Sequence, residues 1–244
     1  MPGTSHPPGA EPAAQSARSG TSPLSPTART TVRRGRQRAR SERCDLYDVL
    51  DAALVCHLGV LVDGTPLVLP TVFAVDLDGP DDGGTVYLHG SVAARSLRAA
   101  PDRDVSVAFT VLDGLVLARS AFHHSMNYRS AVVTGRPRTV DDPDEKVRAL
   151  DLVVDHAVPG RAGTLRPHTR KELAATAVVA LGLAEASVKV RTGDPVDDEP
   201  DVRQGGWAGV VPLRLVPGDV VTAADAVGHE PPDHVRRRAS VAAG

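Results

Sequence analysis

The spacing of hydrophobic positions changes several times along this chain, and each spacing predicts a different element. Over residues 43–54 the apolar side chains recur at steps of three and four, which predicts an amphipathic helix. Residues 55–62 and 67–75 are rich in aliphatic side chains and flank Asp63-Gly64, a pair typical of a hairpin turn. Pro66 and Pro70 interrupt the second run, so we expect that strand at a sheet edge or a bulge.

The rest of the chain continues as short apolar runs separated by turn residues. Further strands are predicted at residues 85–89, 105–112, 115–121 and 130–136, with a turn at Asp113-Gly114. Helices are predicted at residues 92–100 and 144–158 and from residue 170 onwards, and two more β-rich runs cover residues 177–190 and 207–215. The pattern favours a mainly β protein with peripheral helices, an α+β class in which the strands are antiparallel.

Composition divides the chain into three parts. Residues 1–43 carry eight arginines and two glutamates, a net charge of +6, so the remaining residues carry −8 of the overall −2. Because residues 1–42 contain almost no large apolar side chain, we expect them to form a disordered basic tail. A single domain is predicted over residues 43–220, followed by a loosely ordered C-terminal tail over residues 221–244.

Charge and cysteine content exclude several protein classes. Arg33 and Arg34 are followed by no apolar segment of the kind that an export signal needs, and no run reaches the roughly 18 apolar residues of a membrane span. Cys44 and Cys56 form neither a disulfide framework nor a metal-site spacing. We therefore expect a cytoplasmic protein without membrane contact, and we consider nucleic acid an unlikely partner because the basic tail lacks interleaved aromatic residues.

Two segments carry candidate chemistry. In YLHGSVAARSL, residues 87–97, a strand runs through Gly90 into Ser91 and a helix, which places Ser91 at an N-cap and Arg95 one turn later. This order suits a bound phosphate, although an ordinary capped helix has the same pattern. In LVLARSAFHHSMNYRSAVVTGR, residues 115–136, two β-rich runs flank imidazole, aromatic and guanidinium groups in place of simple turn residues.

With VCHLGVLVDGTPLVLPTVFAV ahead of them, these segments resemble the FMN-binding split-barrel family, over about residues 44–215. The resemblance is to the pyridoxamine 5'-phosphate oxidase-like branch that includes nitroimidazole-resistance proteins. It implies a six-stranded antiparallel split β-barrel that binds FMN as a homodimer and acts as an oxidoreductase on a small organic substrate. The cofactor-binding residues that it implies are Leu69, Pro70, Thr71, Val72, His89, Gly90, Ser91, Arg95, Ser96, Tyr128, Arg129 and Trp207.

Within that set the resemblance implies separate roles. Ser91, Arg95 and Ser96 would bind the phosphate, and the backbone of residues 69–72 would contact the ring. Tyr128 and Arg129 would close the site, in this family often from across a dimer interface, and Trp207 would line that interface. The resemblance implies His89 as the catalytic candidate, because the nitroimidazole-resistance branch has a histidine near the flavin, and alternation along its strand directs His89 away from the core. His57 is a weaker candidate. Ser187, Lys189 and Arg191 share one strand face and resemble a motif of the nitroimidazole-resistance branch, so they would either bind the phosphate in place of the first set or form a solvated strand face.

Departures from the family pattern leave alternatives open. Leu69 and Ala74 stand where true pyridoxamine phosphate oxidases have basic residues, and no Arg-x-His element follows Trp207, so oxidation of pyridoxamine phosphate is not expected. A non-catalytic flavin-binding or sensory module, a deazaflavin-binding barrel and a haem-binding barrel remain alternatives. A metal site at His123, His124 and His156 is disfavoured because adjacent histidines point apart on a strand.

Overall fold

The computed structural model describes Leu24 and residues 27–240, which form two antiparallel sheets with helices around them. The strands are β1 (Ala39–Arg40), β2 (Cys56–Val62), β3 (Thr65–Thr71), β4 (Phe73–Asp76), β5 (Thr85–Ser91), β6 (Val105–Leu117), β7 (Ser125–Gly135), β8 (Arg138–Thr139), β9 (Thr176–Gly182), β10 (Ala186–Arg191) and β11 (Gly209–Pro212). The helices are α1 (Arg43–Ala52), α2 (Arg95–Ala99), α3 (Pro143–Ala157), α4 (Arg170–Ala175), α5 (Glu199–Gln204) and α6 (Asp233–Ser240).

The two sheets form an open, split barrel. The larger sheet has the order β1-β10-β7-β6-β2-β3, and β11 pairs with the second half of the long strand β6. The smaller sheet has the order β4-β5-β9-β8. The chain passes from one sheet to the other at Val72, which lies between β3 and β4. This mixed α+β split barrel confirms the predicted fold class.

The main core lies between the sheets and is completed by α1. Leu46, Val49 and Leu50 of α1 are fully buried there, as the spacing of three and four predicted. Each sheet contributes every second residue of its strands, because alternate side chains of a strand point to opposite faces. β5 is buried on both faces: Val86 and Leu88 lie in the main core, while Tyr87 packs in a second cluster beneath α3.

Several predicted boundaries shift. Strand β5 continues through Gly90 and Ser91, which pair with β9, so the helix begins at Arg95 and not at residue 92. The pair Asp113-Gly114 is not a hairpin turn, because β6 runs through it with a register shift between Leu112 and Gly114. The ladder to β7 continues on both sides of that shift. One long irregular strand therefore replaces the two short strands that the sequence predicted.

The described parts of both predicted tails pack against the domain. Leu24 is buried in the main core, Arg29 donates to Asp104 and Glu185, and β1 pairs with β10. The predicted disorder of residues 1–42 is therefore wrong for Leu24 and residues 27–42, while the rest of that segment lies outside the described residues. At the other end, residues 233–240 form α6 in place of a loose tail.

Two absences concern function. Among the described residues, no helix has the length and apolar character that crossing a membrane requires. The same part of the chain contains no cluster of three or more His, Cys, Asp and Glu residues that would hold a metal ion.

Candidate functional site

At the split between the two sheets, residues 69–72, which were predicted to contact the flavin ring, lie near the end of β5. On the larger sheet, Pro70 pairs with His57. On the smaller sheet, Phe73 pairs with Leu88. Because Val72 immediately precedes that second pair, it lies beside His89, the residue that follows Leu88 on β5. Residues 69–72 and 89–91 are thus neighbours at the split, and Pro70 and Val72 are exposed there.

His89 shares its strand face with Tyr87, away from the main core, as strand alternation predicted. Its ring is partly buried, and its Nδ1 atom is inaccessible to water and has no hydrogen-bond partner in the described structure. Burial lowers the pKa of His89 because it disfavours the charged imidazolium. The side chain is therefore neutral near pH 7.

The predicted phosphate-binding segment differs from the expectation. Ser91 is a strand residue whose Oγ accepts from the amide of Ala93 at 3.2 Å, and the N-cap of α2 is Ala94, so the predicted N-cap role of Ser91 is wrong. Arg95 is exposed and forms an ion pair with Asp63 in the β2–β3 turn. Ser96 is buried. Since α2 spans only five residues, its N-terminus does not make the helical anion site that the sequence predicted.

Gly90 has a packing reason to be glycine. A Cβ atom at this position would lie 2.9 Å from Cδ1 of Leu97, closer than a methyl group tolerates. The absence of a side chain lets α2 pack directly on the end of β5.

Two adjoining cavities open next to this split. The first has a volume of about 590 Å³ and is lined by His57, Arg129 and Arg214 together with apolar groups of α1, β6 and residues 213–215. The second, about 490 Å³, is almost entirely apolar and includes Val72, Phe73 and His156. Leu54, Val55 and Leu215 line both cavities, which therefore adjoin, and residues 213–217 border the pair, called the cleft below.

The polar groups of this cleft are held in different ways. Arg129 donates to both carboxylate oxygens of Asp113, at 3.0 and 2.9 Å, and this ion pair raises the pKa of Arg129. His156 Nε2 donates to the carbonyl oxygen of Ala53 at 2.7 Å. Its ring also packs 4.4 Å from that of Phe73. In contrast, His57 and Arg214 have no hydrogen-bond partner in the described part of the chain. Arg238, which lines the apolar part of the cleft, likewise forms no hydrogen bond or ion pair in the described structure, so the cleft offers one imidazole and two cations to a ligand.

The remaining predicted residues lie elsewhere. Tyr128 pairs with Leu112 and Arg191 across its sheet. Trp207 precedes β11 and is 70% exposed. Neither lines the cleft, whereas Val72 and Arg129 do.

His57 is the residue that the sequence analysis underrated. Its position opposite Cys56 and Leu58 in the strand pattern already indicated a side chain outside the core. The sequence held no comparable sign for Arg214 or for the segment that borders the cleft, because their place depends on how the chain after β11 folds back.

Comparison with known proteins gives a consistent picture. The family model for pyridoxamine 5'-phosphate oxidase matches residues 42–190. The chain is 38% identical to the flavocytochrome Anf3 from Azotobacter vinelandii, covering 88% of this chain and 98% of that one, with a TM-score of 0.80. It is also 38% identical to an FAD and heme binding protein from Mycobacterium smegmatis, covering 82% and 97%, with a TM-score of 0.76.

A more distant likeness concerns the fold alone. A candidate 5-nitroimidazole antibiotic resistance protein from Bacteroides thetaiotaomicron is 21% identical over 62% of this chain and 86% of its own, with a TM-score of 0.50. No curated protein matches the chain.

Proposed function

Because the chain belongs to the pyridoxamine 5'-phosphate oxidase family of split barrels, we propose that it is a redox protein that binds a flavin and a haem group. The observation that carries this proposal is its likeness to a flavocytochrome and to an FAD and heme binding protein along nearly the full length of each. The likeness also extends beyond the residues that the family model matches.

The split between the sheets fits the ring of a flavin. β3 is the edge strand of the larger sheet, so its outer backbone groups have no ladder partner in the described structure and are available to the polar edge of a ring. Residues 69–72 belong to this edge or follow it, and the neutral imidazole of His89 lies beside them. A bound flavin supplies electron and hydride transfer. In this proposal, His89 orients a small organic substrate or holds a proton at its ring nitrogen.

We propose FAD in place of the FMN that the sequence resemblance implied. Ala74, which stands where true pyridoxamine phosphate oxidases have a basic residue, is completely buried in the second core cluster, and Leu69 is apolar. The neighbouring cation Arg95 is already paired with Asp63. The split therefore has weak provision for a terminal phosphate dianion, and one of the two 38% identical proteins is described as binding FAD.

The cleft fits a haem group. A haem needs apolar walls, an imidazole ligand to the iron and, for its propionates, cationic side chains. The cleft has apolar walls, and His57, Arg129 and Arg214 lie together at its polar end. Of its two histidines, His57 is the candidate ligand because it is exposed at the polar end of the cleft, whereas the ring of His156 packs against Phe73. Arg214 is the candidate partner for a propionate.

We propose that the protein acts as a homodimer through the outer face of its larger sheet. On that face Ala108 pairs with His57 on one side and with Val132 on the other, and Val68 nearby is 66% exposed. The face also carries Ser106 and Thr134, and exposed aliphatic side chains set among small ones are typical of a surface that another chain covers. His57 lies in register with Ala108 and Val132 on this face, so a second copy bound there would border the cleft. Tyr128 or Trp207 of that copy would then lie near the cofactors.

The test is the cofactor content of the purified protein. We expect flavin absorption together with a haem Soret band, FAD rather than FMN in an acid extract separated by chromatography, and haem in a pyridine haemochromogen assay. Replacing His57 by Ala is expected to remove the Soret band and leave the flavin. The matched control is His168→Ala, since His168 pairs with Asp151 outside the cleft. A protein without flavin would refute the proposal, and flavin without haem would refute its haem part.

A further inference from the structure

A separate pocket, called the Arg38 pocket below, lies at the start of the segment HHSMNY, residues 123–128. It has a volume of about 450 Å³ and is lined by Arg38 from the N-terminal segment, Phe122, His123 and His124 from the β6–β7 connection, and Arg191 at the end of β10. None of these residues lines the cleft described above. The pocket therefore forms a separate site.

The pocket contains two arginines that the protein leaves without a carboxylate. No ion pair involves Arg38 or Arg191 within the described part of the chain, whereas Arg129, Arg138 and Arg148 each bind a carboxylate. Burial and the nearby Arg38 cation both lower the pKa of Arg191. Two like charges held close together in a partly enclosed pocket are unfavourable unless an anion joins them.

Arg191 is fixed in place by neutral groups. It donates to Oδ1 of the buried Asn127 and to the carbonyl oxygens of Gly193 and Asp194, the latter two at 3.3 and 3.2 Å. A guanidinium group has five N–H donors, so about two remain for a ligand. Asn127 also donates to Gly193 at 3.1 Å, which locks the loop against the arginine. The cation is thus oriented before any ligand arrives, which lowers the entropic cost of binding.

The other pocket residues define the kind of anion. His124 is bound through Nδ1 to the carbonyl oxygen of Ser120 at 2.8 Å, which leaves its second nitrogen for a ligand. His123 lies 3.2 Å from the carboxylate of Asp198. Asp194 contributes the one carboxylate among the lining residues, and it forms no ion pair with either arginine in the described structure. The aromatic ring of Phe122 is 90% exposed at the rim, where a base can stack on it.

We infer that this pocket binds the diphosphate of a nucleotide, with Arg38 and Arg191 on the phosphates and Phe122 against the base. Two sources share this chemistry: the adenylate half of the flavin that the proposed function requires, and a nicotinamide dinucleotide that donates electrons to it. Choosing between these sources rests on the proposed function, but binding of a diphosphate to the pocket does not.

The test is calorimetric titration of the purified protein with inorganic pyrophosphate, ADP, NADH and NADPH. Replacing Arg38 by Ala is expected to weaken pyrophosphate and ADP by about tenfold or more, the worth of one charge-assisted contact. Arg36→Ala is the matched control, because Arg36 is an exposed arginine of the same turn that does not line the pocket. Phe122→Ala is expected to weaken ADP and leave pyrophosphate unchanged, since only ADP has a base.

The results distinguish the flavin from the nicotinamide dinucleotide as the ligand, and they test the diphosphate site independently of the proposed function. Loss of FAD from Arg38→Ala during purification assigns the pocket to the flavin, whereas retained FAD with weakened NADH or NADPH assigns it to the electron donor. Absence of pyrophosphate and ADP binding to the wild-type protein together with full retention of FAD by Arg38→Ala, or equal weakening by Arg36→Ala, would overturn the inference. Either result leaves the flavin and haem content of the protein, on which the proposed function depends, unchanged.

Discussion

Helix α3 is held on the smaller sheet by a charged cluster whose strength can be measured. Arg138 on β8 donates to Asp81 at 3.0 and 2.9 Å and to Glu145 on α3 at 2.9 and 2.5 Å. The hydroxyl of the buried Tyr87 donates to the same glutamate at 2.9 Å. This Arg138 cluster therefore connects β5, β8 and α3 over the sheet face on which His89 lies.

The pKa values of the carboxyl groups give the sign of its pH dependence. Hydrogen bonds from Arg138 lower the pKa of Glu145. Burial alone would raise the pKa of Asp81, but hydrogen bonds from Arg138 and Thr85 outweigh it and the pKa is lowered. A carboxyl group whose folded pKa is lowered stabilises the fold above its ordinary value of about 4, and this stabilisation is lost as the pH falls through the lowered value.

Replacing Arg138 by Met should destabilise the protein by about 2–3 kcal/mol at pH 7. The loss lies between that of an exposed pair, about 0–1 kcal/mol, and that of a buried pair, about 3–5 kcal/mol, because 38% of the Arg138 side chain is exposed while Asp81 and Glu145 are 20% and 17% exposed. The variant also leaves two carboxylates facing each other without a cation. Protonation removes that repulsion, so the difference from wild type should shrink at acid pH.

The assay is urea unfolding of wild type and Arg138→Met at about pH 7 and about pH 3, on either side of the ordinary carboxyl pKa. The control is Arg166→Met, which breaks the exposed pair with Glu172 and should leave the urea midpoint unchanged. A destabilisation of equal size at both pH values would refute the electrostatic argument. It would assign the effect to lost packing of the arginine stem.

Three further predictions concern the tail, the interface and the candidate site. Deleting residues 1–42 should lower the urea midpoint, because Leu24 is buried in the core and Arg29 pairs with the domain; an unchanged midpoint would contradict this. Val132→Lys should yield a monomer in light scattering while Val196→Lys, at an exposed position outside the face, should not; two dimers would refute the proposed interface. Replacing His89 by Leu should preserve or raise the melting temperature, since it removes an unpaired buried nitrogen that costs about 1–3 kcal/mol, while slowing flavin reduction; a lower melting temperature would contradict it.

Much of the fold was available from the sequence because its signals are local. The apolar spacing located α1 to within two residues, and strand alternation assigned the two faces of β5 correctly. The errors have tertiary causes. Gly90 and Ser91 resemble the start of a helix, but a ladder with β9 keeps them in a strand. Asp113-Gly114 resembles a hairpin turn, but β6 pairs with β7 on both sides of it.

The candidate site was less predictable because it depends on segments distant in sequence. Residues 69–72 and His89 were named together from family resemblance, and the crossing between the sheets makes them neighbours. The cleft, in contrast, is bordered by residues 213–217. The Arg38 pocket needs Arg38 from a segment that composition alone assigned to a disordered tail. A basic segment with few apolar residues still folds when a sheet edge, here β10, accepts its backbone.

The two proposed cofactor sites share one segment of backbone, which has a consequence for electron transfer. Val72 follows the residues proposed to contact the flavin ring, and the same residue lines the apolar part of the cleft proposed for haem. Only the crossing between β3 and β4 would then lie between the flavin and the haem, so the two groups would approach each other without any movement of domains. Phe73 and His156, whose rings pack 4.4 Å apart next to this crossing, fix its position from the core side. With both groups bound as proposed, residues 71–73 would hold the spacing between the flavin and the haem, the distance over which an electron would pass.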